Sequence, residues 1–178
     1  METCINITHQ KTNSEKLLEV SVIFIIFASA FLLFSLVTAD PDLWGHLKFG
    51  MDHVKNGSLQ RIDPYSYTAY GHQWINHEWL CEAVFYFVYN RFSDAGLLYG
   101  KLLIGFLSVG FLLLCVFRRN VNQLVLAMVG VLAVIGMSPG FMIRPQLFSF
   151  LFFAIFLYKI IYQKRYVIHP VTQRRKEH

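Results

Sequence analysis

The residues able to do chemistry crowd into one stretch of this chain. Asp40-Pro41-Asp42 follows a long apolar run, and His46 comes four residues later. His77-Glu78 lies further on, with Glu82 four residues past Glu78. Seven of the 11 acidic residues fall between Asp40 and Asp94, with four of the seven histidines and all three tryptophans, Trp44, Trp74 and Trp79. A loop in contact with water accounts for the acids. It does not account for the gathering of imidazole and indole, which is the composition of a site.

Two chemistries suit these residue types. The first is proton transfer. A carboxylate at the mouth of an apolar segment is partly desolvated and can take a proton from a hydroxyl. Asp40 is placed for that task, with Asp42 as the neighbouring alternative. Mere helix capping is a poor account of Asp40, because an acid at a helix C-terminus opposes the dipole. The second chemistry is metal binding. His46 and His53 are seven residues apart on one helical face. Glu78 and Glu82 share another face, with His77 beside them, so a His/carboxylate site for a divalent metal is an open alternative. The full HExxH motif is absent, since His77-Glu78 supplies only its first half. Cys4, Cys81 and Cys115 are far apart, without zinc spacing and with no internal disulfide expected.

The elements that must position these groups are apolar. The chain has 178 residues, of which 55% are hydrophobic and 15% charged, less charge than a soluble domain of this size carries. The apolar residues, Phe above all, are gathered in long runs, and long runs indicate a bilayer. Spans are expected at 17–39, 95–117, 121–138 and 145–162. A cleaved signal peptide ending at Val37-Thr38-Ala39 is disfavoured, because a signal core is about 7–15 residues and this run is longer. The net charge of +5 could suggest nucleic acid, but the basic residues form short caps on apolar segments. Nucleic acid is therefore not an expected partner, whereas the lipid bilayer is.

Charge placement also orients the chain. If Glu78–Phe92 crossed the membrane, Arg118-Arg119 and the basic tail would lie on the side opposite the N-terminus. If it lies on the surface, all the basic caps face the cytoplasm, as the positive-inside rule favours. The expected architecture is all-α and polytopic. It has about four transmembrane helices, cytoplasmic ends at 1–16 and 163–178, and a large first outer loop at 40–94. Within that loop, an amphipathic helix is expected at 42–55, with Leu43, Leu47, Met51 and Val54 on its apolar face. A second surface helix is expected at about 77–92, with an ordered loop between the two. The tail after Tyr166 reads as a loose polar end.

An acid after the first span, an amphipathic surface helix, a loop and a second surface helix opening with "HEWL" resemble the GT-C glycosyltransferases. These multi-span enzymes take sugar from a polyprenyl-phosphate carrier, and include protein mannosyltransferases and the lipid A aminoarabinose transferase. "DPDLWGHLKFG", "DPYSYTAYGHQWINHEWL" and "RPQLFSFLFFAIFLY" look like a group of bacterial membrane proteins placed near that superfamily, and the likeness runs from Asp40 to Tyr162.

The resemblance implies transfer of sugar from a polyprenyl-phosphate carrier to an acceptor outside the cytoplasmic membrane of a bacterium. It implies Asp40 as catalytic base, where many members carry Asp-Glu and this chain has Asp-Pro-Asp. It places His46 at a second polar position of the surface helix. It also sets His77-Glu78 where members often carry a His-Pro-Pro or Lys-Pro-Pro step. Arg144 is the expected cation for the departing phosphate; Lys101, near the outer end of the second span, could also serve but reads more readily as structural, and Trp44 and Trp79 are expected to face the substrate. Enzymes of this kind have many more spans. The expectation is therefore a truncated member, inactive alone, with a separate C-terminal fragment as a candidate partner. A different class stays open: a small non-enzymatic membrane protein that binds a partner or lipid through its outer loop. A transporter is disfavoured because the spans hold few ionisable groups.

Overall fold

The structure, a computed structural model, describes residues 12–36, 40–117 and 121–174, with the side chains beyond 162 outside the description. The expected cleavage site at 37–39, the Arg118-Arg119 cap and most of the N-terminal end lie outside the described residues. So do the last four residues of the tail. The architecture is all-helical: α1 at Asn13–Phe34, α2 at Asp42–Asn56, α3 at Trp79–Phe117, α4 at Gln123–Met137 and α5 at Gln146–Arg174. A short 3-10 turn, Ser138–Gly140, follows α4.

Three stretches are long and apolar enough to cross a membrane: Asn13–Phe34, Trp79–Val116 and Gln123–Gly140. The apolar part of α5, Gln146–Tyr162, is shorter. Exposure agrees with a bilayer. Phe24 and Leu32 on α1, Leu124 and Leu132 on α4, and Phe152 and Phe156 on α5 all point outward. A water-soluble bundle would bury such side chains. The chain is a multi-helix membrane protein.

Helix α1 starts with a capping box. The Thr12 hydroxyl accepts from the Glu15 amide at 3.3 Å, and the Glu15 carboxylate accepts from the Thr12 amide at 2.9 Å. Because α1 is apolar all round, its inward face is set by fit rather than by polarity. Val22, Ile26, Ala30 and Phe34 recur at four-residue spacing and are buried. Ile26 lies against Gly130 of α4, and a Cβ there would stand 2.5 Å from its Cδ1. At the other end Phe34 stacks on Phe141 with ring centroids 4.0 Å apart. Gly105 of α3 leaves the space, since a Cβ there would come within 2.6 Å of Phe34.

Helix α3 joins the expected surface helix to the expected second span. The join is a kink at Ser93, whose backbone (φ 55°, ψ −154°) is left-handed, an uncommon state for a residue with a Cβ. Helix α2 packs on the part of α3 before the kink, and α5 packs on α3 as well. The buried face of α2 differs from the sequence expectation. It runs through Leu43, His46, Leu47 and Gly50, while Val54 is exposed. Gly50 decides this. A Cβ on it would meet the Glu82 carbonyl oxygen at 2.1 Å, so the two backbones touch where only glycine allows it. Gly57 ends α2 in the left-handed conformation (φ 64°), its amide donating to the His53 carbonyl.

The segment from 57 to 78 is pinned rather than loose. Asp63 and Trp74 amides donate to the carbonyls of His72 and Arg61, which frames an isolated antiparallel bridge between Ile62 and Gln73. The Asp63 carboxylate accepts from the Tyr65 and Ser66 amides, both at 2.9 Å, in an Asx turn. Tyr65 and Trp74 pack their rings on Phe49, and the Tyr65 hydroxyl donates to Asp52. Asp52 also pairs with Lys48 at 2.8 Å, so the polar face of α2 holds this segment.

Candidate functional site

Two polar clusters and one cavity sit at the α2 end of the bundle. The first cluster closes on Asp40. Asp40 is 8% exposed, where the chain leaves α1. Arg144 holds it with two hydrogen bonds, Nε to Oδ2 at 2.5 Å and Nη2 to Oδ1 at 2.8 Å. The same Nη2 lies 2.8 Å from Asp42 Oδ2. The flat guanidinium matches two carboxylate oxygens at once, which an ammonium cannot do. The Arg144 hydrogen bonds hold the Asp40 carboxyl below the ordinary carboxylate range, against the opposing effect of burial. The Asp42 amide adds a 3.1 Å bond to Oδ1. Asp40 is therefore ionised and weakly basic, and the two residues expected to act separately as base and cation neutralise each other.

The second cluster lies between α2 and α3. His46 Nδ1 is 3.0 Å from Glu82 Oε1 and 3.8 Å from Glu78 Oε2. Glu82 is 2% exposed, and its other oxygen accepts from the Asn76 amide group. Asn76 in turn accepts the Glu78 backbone N–H at 3.0 Å. The hydrogen bond to Glu82 raises the His46 pKa; burial works the other way, and the charges of Glu82, Glu78 and Asp42 add to the rise. Sequence reasoning did not single out Asn76. Its signal was its place two residues before Glu78, where an Asn side chain can accept the Glu78 N–H in an Asx turn.

The remaining expected residues are peripheral to these clusters. His77 is exposed and approaches Glu78 only at 3.9 Å. His53 accompanies Trp79, ring centroids 5.2 Å apart, rather than His46. Trp44 is exposed and meets Tyr89 edge-on.

The cavity has a volume of about 350 Å³. Apolar side chains of Leu43, Leu97, Leu98, Met142 and Ile143 line it, with Trp44 beside them. Its polar groups are Asp40, Asp94 and Lys101. Lys101 is buried and donates to the Leu36 carbonyl at 3.0 Å, an orphan acceptor beyond the end of α1. An ammonium has three donors, so this bond leaves others for a ligand. Asp94 directly follows the Ser93 kink, and no ion pair to it is found among the described residues. Sequence reasoning had counted Asp94 only among the acids of the loop. Its position at the opening of the second span was the available signal.

No family model, curated protein or solved structure matches the chain. The site is a mostly apolar cavity beside an apolar helix, with two carboxylates and an ammonium in its lining.

Proposed function

We propose that the chain carries out part of sugar transfer from a polyprenyl-phosphate carrier to an acceptor, in the manner of the GT-C enzymes it resembles. The proposal includes a fourth span at 145–162, cytoplasmic ends, and the α2 end of the bundle at the outer face of a bacterial cytoplasmic membrane. The observation that carries it is the cavity of about 350 Å³, lined mostly by apolar side chains with Asp40, Asp94 and Lys101 among them. An amphiphile with a long hydrocarbon tail and a phosphate head has that polarity.

In this reading the roles shift to neighbouring residues. Arg144 commits its charge, through Nε and Nη2, to Asp40 and Asp42, so Lys101 is the cation that steadies the phosphate. Asp94 takes the base role, since the oxygens of Asp40 are committed. The acceptor hydroxyl gives its proton to Asp94, and its oxygen bonds to the anomeric carbon. The bond from that carbon to the phosphate oxygen breaks, and polyprenyl phosphate leaves with the electron pair. Asp40 and Arg144 act as a clasp that positions the rim of the slot.

The experiment is equilibrium binding of a radiolabelled polyprenyl phosphate to the full chain in phospholipid nanodiscs. Saturable binding is expected, weakened about tenfold by Lys101→Met, the loss of one charge-assisted contact worth about 1.4 kcal/mol. Binding no tighter than to empty nanodiscs would overturn the proposal.

One observation favours a second reading, a non-enzymatic membrane protein that binds a partner or lipid through the 57–78 segment. Tyr67 is 99% exposed there, with Tyr70 and Ile75 also outward. In that case a Tyr67→Ser/Tyr70→Ser variant loses the protein's effect in its host, while Asp94→Asn keeps it.

A further inference from the structure

The cluster between α2 and α3 has the ligand types and spacing of a metal centre. We propose that His46, Glu78 and Glu82 bind one divalent transition-metal ion, of which Zn²⁺ is the reference case, between the two helices.

One ligand atom from each residue lies within 4.8 Å of the other two. Four-coordinate zinc with bonds of about 2.0–2.2 Å sets its ligand atoms roughly 3.3–3.6 Å apart. The separations from His46 Nδ1, 3.0 Å to Glu82 and 3.8 Å to Glu78, bracket that range. The adjustment falls on Glu78, whose side chain is 33% exposed and free to swing inward. The fixed ligands are Glu82, which is buried, and His46, whose side chain is 15% exposed.

Charge makes the same case. Two carboxylates and a neutral imidazole carry −2, and protonating His46 leaves −1, with Glu82 almost wholly out of water. A buried carboxylate needs full compensation. A divalent ion brings the set to zero and replaces the proton on Nδ1. The surroundings already resemble the outer shell of such a centre. Asn76 donates to the Glu82 oxygen that points away from His46 and fixes the other toward it. The Gly50 contact with the Glu82 carbonyl fixes the helix spacing on which the bite depends. Three protein ligands and a water-facing side leave a fourth position open, the pattern of sites that also take a water or substrate oxygen. The inference uses neither the cavity nor sugar transfer, and holds or falls independently of that proposal.

The test uses the full chain, without an affinity tag, in detergent, stripped by a chelator and titrated with ZnCl₂ in a calorimeter. One equivalent is expected to bind with a micromolar or tighter Kd, and the thermal midpoint to rise. Glu78→Gln, at the least buried ligand, is expected to fold normally and weaken binding by at least about 10–100-fold, the cost of losing even an outer-shell partner. Co²⁺ in place of zinc is expected to give the visible absorption of a four- or five-coordinate site, lost in Glu78→Gln. His77→Ala and His53→Ala are expected to bind as the parent does. No stoichiometric binding by the parent overturns the proposal, as does a Glu78→Gln affinity equal to the parent's. Should His46→Asn or Glu82→Gln fail to fold, the Glu78→Gln and Co²⁺ results still decide it.

Discussion

Arg144 reaches back across 104 residues to hold both carboxylate oxygens of Asp40, at 2.5 and 2.8 Å. This pair ties the exit of α1 to the link between α4 and α5. The Phe34–Phe141 stack joins the same two regions through apolar contact. The polar and apolar ties differ in how they can be broken, and this makes them testable.

Removing Arg144 strands the buried Asp40 carboxylate, whereas removing the Asp40 charge leaves the partly exposed Arg144 its second partner, Asp42. Arg144→Ala and Asp40→Asn are each expected to lower the thermal midpoint in detergent by roughly 5 °C. The double variant should fall by clearly less than the sum, because the second change removes the charge that the first stranded. Strict additivity in that cycle would show that the pair is not coupled.

The clasp should also set the acid limit of stability. The Asp40 carboxyl is held below its ordinary value by the Arg144 hydrogen bonds. A group with a lowered folded-state pKa gives stability that is fully present above its unfolded value, about 3.9 for Asp. That stability is lost as pH falls through the lower folded value. The difference in midpoint between the parent and Asp40→Asn is therefore expected to be constant from pH 7 to about pH 5. It should shrink progressively below about pH 4. A difference that already shrinks near neutral pH would assign it to another group.

Gly50→Ala weighs helix propensity against packing. Alanine in a helix interior gains about 0.5–1 kcal/mol over glycine. Here its Cβ would stand 2.1 Å from the Glu82 carbonyl oxygen. Overpacking of this kind costs about 1–3 kcal/mol, so the variant is expected to be less stable. A paired-cysteine crosslink between α2 and α3 should form more slowly in it. A stability gain would mean that the helices are not in contact there.

Ser93→Gly should act in the opposite direction. The left-handed backbone of Ser93 stores about 1–3 kcal/mol of strain, which glycine does not feel. Glycine's extra unfolded-state entropy takes back about 0.5–1 kcal/mol. The net gain is expected as a rise of about 2–4 °C in the midpoint, while Ser93→Val, with its branched Cβ, should lower it. Equal midpoints for all three would mean that α3 is straight in solution.

The parts legible in the sequence were those encoded locally. Apolar runs announced α1, the later part of α3 and α4, because their hydropathy needs no partner to be seen. Asn56-Gly57 announced the end of α2. The α2 face was harder, since its contact with α3 depends on an absent side chain at Gly50, and periodicity counts only side chains that are present. The Asp40–Arg144 pairing was illegible for a different reason. Each residue looked reactive alone, and only the fold brings together groups 104 residues apart. Asn76 and Asp94 are ordinary loop residues by type. Asn76 acts through its bonds to Glu78 and Glu82, and Asp94 through the kink at Ser93.

The clasp has a further consequence for how the protein is made. A ribosome releases residue 40 long before residue 144, and at about 5–20 residues per second the interval is roughly 5–20 s. During that time the carboxylate beyond α1 has no guanidinium, and Phe34 has no Phe141 to cover it. The first span therefore enters the bilayer before the partners of its end exist. The end of that helix gains its partners only when the segment around Arg144 emerges, so a late step of synthesis completes the setting of the first helix.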